Sequence, residues 1–281
     1  MLSFVIICII TGGFTGFLAG LLGIEGGIIV IPVLHYLFTL IDMPKQYIMI
    51  SAIATAMASI VITSSIAAQR HYKLGNCDIK MGKRYIPRII PGALIGAFLA
   101  SVLPGKIVAI FFTLLVIFVF LRNFINIIRT SKSYTKENSQ ETSSSNIKVY
   151  SGFRLTSYIT SVSFICGTAG AAGGVFYVPY FHRMGYKMPK AVGTSSLGIA
   201  ATSLMITIAF IVYGLKAHMP AYSLGYIYLP AFFSVIIGSF ITSRIGAKTA
   251  TFISTRTLRK LFVLVVFLII VLMLNTFFHF L

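Results

Sequence analysis

GIEGGIIVIP, at residues 23–32, decides the fold because a close copy, GAAGGVFYVP, stands at residues 170–179. One register aligns Gly26-Gly27 with Gly173-Gly174, Pro32 with Pro179 and His35 with His182. Just downstream, Met43-Pro44-Lys45 recurs as Met188-Pro189-Lys190. The chain is therefore read as a duplication.

Composition sets the protein class. Hydrophobic residues make up 57% of the chain and charged residues 10%, with several apolar runs of about 20 residues, as in polytopic helical membrane proteins. The net charge of +18 would also fit a nucleic-acid-binding protein. However, the basic residues lie in short connections between apolar runs, where cytoplasmic lysine and arginine belong. We therefore expect the lipid bilayer as a partner and no nucleic acid.

The apolar segments divide the chain into two matching halves. A first membrane repeat spans residues 1–130, a polar linker 131–150 and a second membrane repeat 151–281. The linker is rich in Ser, Thr, Asn and Lys, which is typical of a flexible connection. Five apolar segments are predicted in each half: 2–24, 26–41, 46–69, 86–103 and 107–128, then 154–167, 171–181, 191–214, 222–243 and 259–281.

The segments around each glycine motif are unusual. In the second copy, residues 154–181 are too few for two full spans and too rich in glycine for one uninterrupted helix. We therefore predict a hairpin of two short or broken helices that meet at the glycines. The first copy is longer and could cross the bilayer fully and return.

The positive charges test this topology. If each glycine region crosses once, the 23 Lys and Arg divide almost evenly between the two sides. If each region returns to its starting side, all but Lys45, Lys106 and Lys216 fall on one side, as the positive-inside rule expects. The prediction is an all-α polytopic protein of two inverted repeats with about eight full-length spans. The short hairpin helices are either counted among these spans or present in addition to them. Its basic loops and linker would be cytoplasmic.

The sequence resembles a known family, the TauE/SafE sulfite and organosulfonate exporters. The resemblance covers both halves and rests on the paired glycine motifs, the Met-Pro-Lys step, Gly193-Thr194-Ser195-Ser196 and the small-residue segments 91–96 and 238–240. It implies export of small sulfur-containing anions across a bacterial inner membrane. Glu25 and Ala172 depart from the family's glycines, and the first half has only Ile50-Ser51-Ala52 in place of Gly-Thr-Ser-Ser. We therefore expect the second half to supply more of the anion contacts.

The glycine motifs also predict an anion site on physical grounds. A helix that begins inside the membrane presents free amides and the positive end of its dipole, and glycine lets an oxyanion approach the backbone. The predicted substrate site comprises a backbone cradle and nearby hydroxyl donors, namely Gly26, Gly27, Gly173 and Gly174 with Ser51, Thr194, Ser195 and Ser196. The alternative is that such small residues only pack helices together, and we assign that role to Gly96, Gly238, Ser59 and Ser203.

Glu25 is the one acid of the five that falls between apolar runs, where a carboxylate is costly. It is a candidate for proton coupling; the alternative is an exposed carboxylate at the tip of the hairpin. His35 and His182 match across the repeat, but without ligands at suitable spacing they predict no metal. The sequence contains no nucleotide-binding loop and no hydrolase motif, so we expect no enzyme activity, no catalytic residues and no cofactor.

These features predict a secondary transporter that exports sulfite or organosulfonates by alternating access. Its partners would be a small anionic substrate and the bilayer, with a homodimer left open. Two alternatives stay open as well: a carrier of another small anion or metabolite, and a membrane scaffold that transports nothing.

Overall fold

The computed structural model of the protein describes residues 2–22, 26–130, 152–171, 173–249 and 263–273. Glu25, Ala172 and the linker at residues 131–150 lie outside the described residues. The described residues form ten helices and one pair of short strands: α1 (Leu2–Leu22), α2 (Gly27–Leu40), α3 (Lys45–Lys73), α4 (Ile79–Val102), α5 (Gly105–Thr130), α6 (Gly152–Ala169), α7 (Gly174–Arg183), α8 (Met188–Gly214), β1 (Ser223–Leu224), β2 (Ile227–Tyr228), α9 (Leu229–Thr249) and α10 (Val263–Met273).

Four of the described helices, α3, α4, α5 and α8, are long and apolar enough to cross a bilayer. In its most apolar window α3 is 78% buried, against 39% for α4 and for α5, so α3 lies at the centre of the bundle. The all-helical membrane class predicted from composition agrees with this structure. The figure of about eight spans stays a prediction.

Each glycine motif joins two helices that fold back on each other. In the first half the ring of Phe4, near the start of α1, stacks on Phe38, near the end of α2, with centroids 6.3 Å apart. In the second half Tyr158 of α6 stacks on Tyr180 of α7 at 4.2 Å. Because the first turns of α1 and α6 meet the last turns of α2 and α7, both pairs are antiparallel hairpins.

Each hairpin packs its first helix along a helix of the other half, α1 along α9 and α6 along α4. The contacts need glycine. A Cβ placed on Gly96 of α4 would lie 2.3 Å from the Phe164 carbonyl of α6, and one on Gly238 of α9 would lie 2.1 Å from the Ile9 carbonyl of α1. The packing role predicted for these two glycines is confirmed.

The hydroxyls of two other predicted packing residues bond to their own helices. Ser59 donates to the Thr55 carbonyl at 2.9 Å, and Ser203 donates to the Ile199 carbonyl at 2.8 Å. Such bonds satisfy a buried hydroxyl without a partner helix.

Helices α3 and α8 pack against each other in opposite directions. Gly193, near the start of α8, lies against His71 and Asn76 where α3 ends. Met219, just after α8, meets Ser51 near the start of α3. We name the two ends of the molecule after α3: the basic end, where α3 ends and α4 begins, and the opposite end, where α3 begins.

The connection from α8 to α9 differs from the sequence prediction. An apolar segment was expected from residue 222, whereas α9 begins at Leu229 and the antiparallel strands β1 and β2 precede it. Gly225 makes the turn at φ +57°, and its hydrogen faces the Ile211 carbonyl, where a Cβ would lie at 2.5 Å. The buried Tyr228 amide donates to Thr55 Oγ1 at 3.1 Å, so tertiary contacts with α3 replace the first turns of a helix.

Candidate functional site

The two glycine motifs meet beside the middle of α3. A Cβ on Gly27 would lie 2.9 Å from the Ile60 side chain and 3.8 Å from the Gly170 carbonyl oxygen. A Cβ on Gly170 would lie 2.7 Å from Ile53 Cγ2 and 3.0 Å from Ile31. The duplicated stretches, far apart in sequence, therefore form one central junction.

Glycine residues occupy the N-cap positions of both helices that start at this junction. Gly26 precedes α2 and Gly173 precedes α7, and neither helix start has a side-chain cap. Gly173 has φ +73°, a conformation that suits glycine, and the chain turns there into α7. The first amides of α2 and α7 are consequently uncapped by side chains at the point where the sequence predicted an anion cradle.

The motif glycines also pack closely. A Cβ on Gly26 would lie 2.9 Å from Thr15 Cβ, and one on Gly173 would lie 2.7 Å from the ring of Tyr177. The Tyr177 ring thus covers one side of Gly173. In this conformation the predicted cradle is closed by its own neighbours.

The four predicted hydroxyl donors are all buried, but they have different partners. Ser195 donates to the Ala191 carbonyl at 2.7 Å and Ser196 to the Val192 carbonyl at 3.0 Å, both within α8. Thr194 Oγ1 accepts from the Asp78 amide at 3.1 Å. Among the described residues Ser51 Oγ meets only the Met219 thioether, at 4.0 Å, which is a weak acceptor. Ser51 is therefore the predicted donor with the weakest competing contact.

A buried hydroxyl chain that the sequence analysis missed lies behind the second motif. The Tyr177 hydroxyl is 3.0 Å from Ser163 Oγ and 2.9 Å from Thr202 Oγ1, so it joins α6, α7 and α8. Ser163 donates to the Ile159 carbonyl, so Tyr177 donates to Ser163 and accepts from Thr202. The signal in the sequence was the replacement of Val30 in the first motif by Tyr177 in the second.

A second missed group, centred on Asp78, joins the two halves at the basic end. Asp78 Oδ1 caps α4 by accepting from the Met81 amide at 2.9 Å. Its Oδ2 accepts from the hydroxyl of Tyr186, also at 2.9 Å. Tyr186 lies in the loop between α7 and α8. We call the contacts of residues 76–78 and Tyr85 with Tyr186, Gly193 and Thr194 the basic-end latch.

Three further contacts complete the basic-end latch. Cys77 Sγ donates to the Gly193 carbonyl at 3.2 Å, and the Tyr85 hydroxyl donates to the Thr194 carbonyl at 2.6 Å. Gly193 faces the Asn76 carbonyl so closely that a Cβ would lie 2.2 Å from it. The loop from α3 to α4 is thereby held against the start of α8.

Burial sets the chemistry of the latch side chains. Burial, then the hydrogen bond and negative charge of Asp78, raise the pKa of Tyr186, so its hydroxyl stays a neutral donor at physiological pH. Burial also raises the pKa of the Cys77 thiol, which keeps it protonated and slow to react. Opening of the latch should therefore expose Cys77 and increase its reactivity.

Replacing Tyr186 with phenylalanine should increase labelling of Cys77 by a membrane-impermeant maleimide about ten-fold. The change removes a hydrogen bond to a charged group, worth about 1.5 kcal/mol, and so favours the open loop. The measurement is made in a Cys8→Ala, Cys166→Ala background, because these two thiols are the other cysteines of the chain. The matched control is Tyr72→Phe, an exposed tyrosine near the same end. Equal labelling rates in Tyr186→Phe and its parent would contradict a role for this bond in closing the latch.

A cavity of about 250 Å³ lies at the opposite end. It is lined by the first turn of α3 and by the turn from α4 to α5, including Gln46, Tyr47, Pro104 and Gly105. Ile50 also lines it, about two helical turns along α3 from Met57, which neighbours Gly27. The cavity and the glycine junction are therefore separate features.

The two histidines matched by the repeat lie in different settings. The His182 ring nitrogen is 3.2 Å from the Tyr186 carbonyl near the basic end, while His35 is half-buried in α2. In the part of the chain that the structure describes, no three His, Cys, Asp or Glu side chains cluster closely enough to hold a metal ion.

Comparison with known proteins now identifies the chain. The family described as sulfite exporter TauE/SafE matches residues 8–273, which include both glycine motifs and the latch. The chain belongs to the TauE/SafE family. The resemblance drawn from the motifs is confirmed.

Curated relatives of this TauE/SafE protein span nearly its whole length. A protein of Haemophilus influenzae is 34% identical over 96% of this chain and 97% of its own. A protein of Methanocaldococcus jannaschii is 26% identical over 89% of this chain and 88% of its own, and one of Bacillus subtilis is 23% identical over 95% and 96%. All three are named probable membrane transporter proteins. No solved structure matches this chain. The chain is thus a multi-pass membrane protein of a transporter family.

Proposed function

We propose that this TauE/SafE protein is a secondary transporter that exports small sulfur-containing oxyanions, such as sulfite or organosulfonates, by alternating access. The observation that carries the proposal is the junction of the two motifs, where α2 and α7 begin at uncapped glycines beside the middle of α3. Helix starts within a membrane bind anions in transporters built from repeats. The family description, sulfite exporter, supports the sulfur-containing substrate.

The proposed architecture is a pair of inverted repeats. Two observations support it. Helices α3 and α8 run in opposite directions, and the hairpins α1–α2 and α6–α7 start at opposite ends of the bundle. Phe4 of α1 lies against Tyr228 at the opposite end, whereas Thr156 of α6 accepts from Arg88 of α4 towards the basic end. In a bacterial inner membrane the basic end would face the cytoplasm, in line with the positive-inside rule.

Alternating access requires that each end of the site can close. At the basic end the latch joins the α3–α4 loop to α8, and at the opposite end the Tyr226 ring lies 5.9 Å from the ring of Tyr47. Both sets of contacts join the first half to the second. They are suited to act as two gates on either side of the glycine junction.

The test is transport by purified protein in proteoliposomes. Saturable movement of sulfite, sulfoacetate or taurine, lost in Gly174→Leu and reduced in Ser51→Ala, is the expected result. Leucine would obstruct the first turn of α7, whereas alanine at position 51 removes only a hydroxyl. Gly152→Leu serves as the control, because a Cβ there has no neighbour within 4 Å.

The other outcomes distinguish the alternatives. Transport of a non-sulfur anion alone would leave a carrier but overturn the sulfur substrate. Absence of any flux from correctly folded protein would overturn the carrier and favour a scaffold. For Glu25, full proton dependence of transport in Glu25→Gln would reject proton coupling through that residue.

A further inference from the structure

Arg122 is a charged residue within the apolar stretch Gly105–Ile125 of α5. It is half-buried, and its guanidinium donates to the Val175 carbonyl of α7 at 2.7 Å. A charge inside a membrane span is costly and usually has a function. The glycine motifs do not include Arg122, and its position in sequence gives no hint of α7.

Pro179 explains why the Val175 carbonyl is available. In an α-helix the carbonyl of Val175 would accept from the amide of residue 179, but proline has no N–H. Arg122 supplies the missing donor from a neighbouring helix. The guanidinium is consequently held against the first turn of α7, at the residue that follows Gly174.

The positive charge of Arg122 has no carboxylate partner among the described residues. Asp78, one of their two carboxylates, uses its oxygens for Met81 and Tyr186. A guanidinium carries five N–H donors in a planar fork, and the Val175 carbonyl occupies one of its nitrogens. Such a fork suits sulfite and sulfonate oxyanions, in which two oxygens can accept parallel hydrogen bonds.

We propose that Arg122 binds the transported oxyanion beside the second glycine motif, while its bond to the Val175 carbonyl holds the guanidinium in place. This inference rests on the proposed function, because it adds a cation to the same site. A cation beside the second motif fits the expectation that this motif supplies more of the anion contacts, although the arginine itself comes from α5 of the first half. The competing explanation is that Arg122 only replaces the hydrogen bond lost at Pro179.

Two variants separate these explanations. Arg122→Gln removes the charge and the fork but keeps an N–H donor. Pro179→Ala restores an amide to residue 179, so α7 no longer needs a donor from α5 to satisfy Val175. The double variant should therefore regain thermal stability without regaining anion affinity. Arg122→Lys keeps the charge without the fork and should be intermediate.

The readouts are the rise in Tm caused by sulfite in purified protein and the KM for sulfite in proteoliposomes. We expect Arg122→Gln to weaken both measures of affinity about ten-fold, with a much smaller change in maximal rate, and Pro179→Ala not to restore them. The matched control is Arg88→Gln, since Arg88 is also half-buried and also bridges two helices, donating to Thr156 Oγ1 of α6 at 2.7 Å rather than to α7.

Wild-type affinity in Arg122→Gln, or its recovery in the double variant, would overturn the proposal and leave Arg122 as a structural donor. If wild-type protein binds sulfite but does not move it, the proposed transport fails while the Tm measurement still decides the role of Arg122. If wild-type protein shows neither sulfite binding nor flux, both proposals are rejected.

Discussion

Gly96→Val is expected to destabilise the protein by about 3 kcal/mol or more, lowering its Tm by roughly 10 °C. A Cβ at this position would lie 2.3 Å from the Phe164 carbonyl and 3.0 Å from the Thr168 amide. These are backbone atoms of α6, so α4 and α6 must separate to admit the side chain. Helices in a membrane depend on such close approach, because lipid provides no hydrophobic drive for them to associate.

The measurement for Gly96→Val is the melting temperature in detergent, together with the monodisperse fraction on size exclusion. Gly238→Val should behave alike, since Gly238 makes the corresponding contact between α9 and α1. Gly152→Val is the control, as no neighbour lies within 4 Å of a Cβ there. Unchanged melting of both interface variants would show that α4 and α6, and α1 and α9, do not pack in this way.

Gly170→Ala is expected to reduce transport about ten-fold or more. Gly170 has φ +72°, which costs an alanine about 1–2 kcal/mol, and its Cβ would also collide with Ile53 at 2.7 and 2.8 Å. Both effects act at the junction of the two motifs, and 1.4 kcal/mol already corresponds to a ten-fold change. The measurement is flux per folded carrier, with Tm determined on the same samples.

Two comparisons separate strain from collision at Gly170. Gly75→Ala is a matched control, because Gly75 has φ +70° but no neighbour within 4 Å of a Cβ, so it should show strain alone. Ile53→Ala removes the colliding carbons and should partly rescue Gly170→Ala, with a coupling of about 1 kcal/mol in Tm-derived stability. Strict additivity of the two changes would contradict the contact between Gly170 and α3.

The candidate site was only partly predictable. The glycines were identified because the motif occurs twice. Their position at two helix starts was predictable because glycine permits the backbone conformations that such a turn requires. Asp78 and Tyr186 carry no such signal. They are an ordinary helix cap and a loop tyrosine, and their 2.9 Å bond arises only because the α3–α4 and α7–α8 loops meet at one end. Ser195 and Ser196 show the reverse case: they match the family pattern, but their hydroxyls bond to their own helix in this conformation.

The sequence by itself determined the helical membrane class and pointed to the family and to a return of the chain at each glycine motif. The division into two duplicated halves stays a prediction from the repeated motif. The class follows from the apolar runs and the family resemblance from the motifs, both of which are contained in the order of residues along the chain. The tertiary structure alone decided that the motifs of both halves meet beside Ile53 and Ile60, that Tyr177 covers Gly173, and that Arg122 reaches Val175. Such contacts join residues distant in sequence, and they depend on which helices pack together and how closely glycine lets them approach.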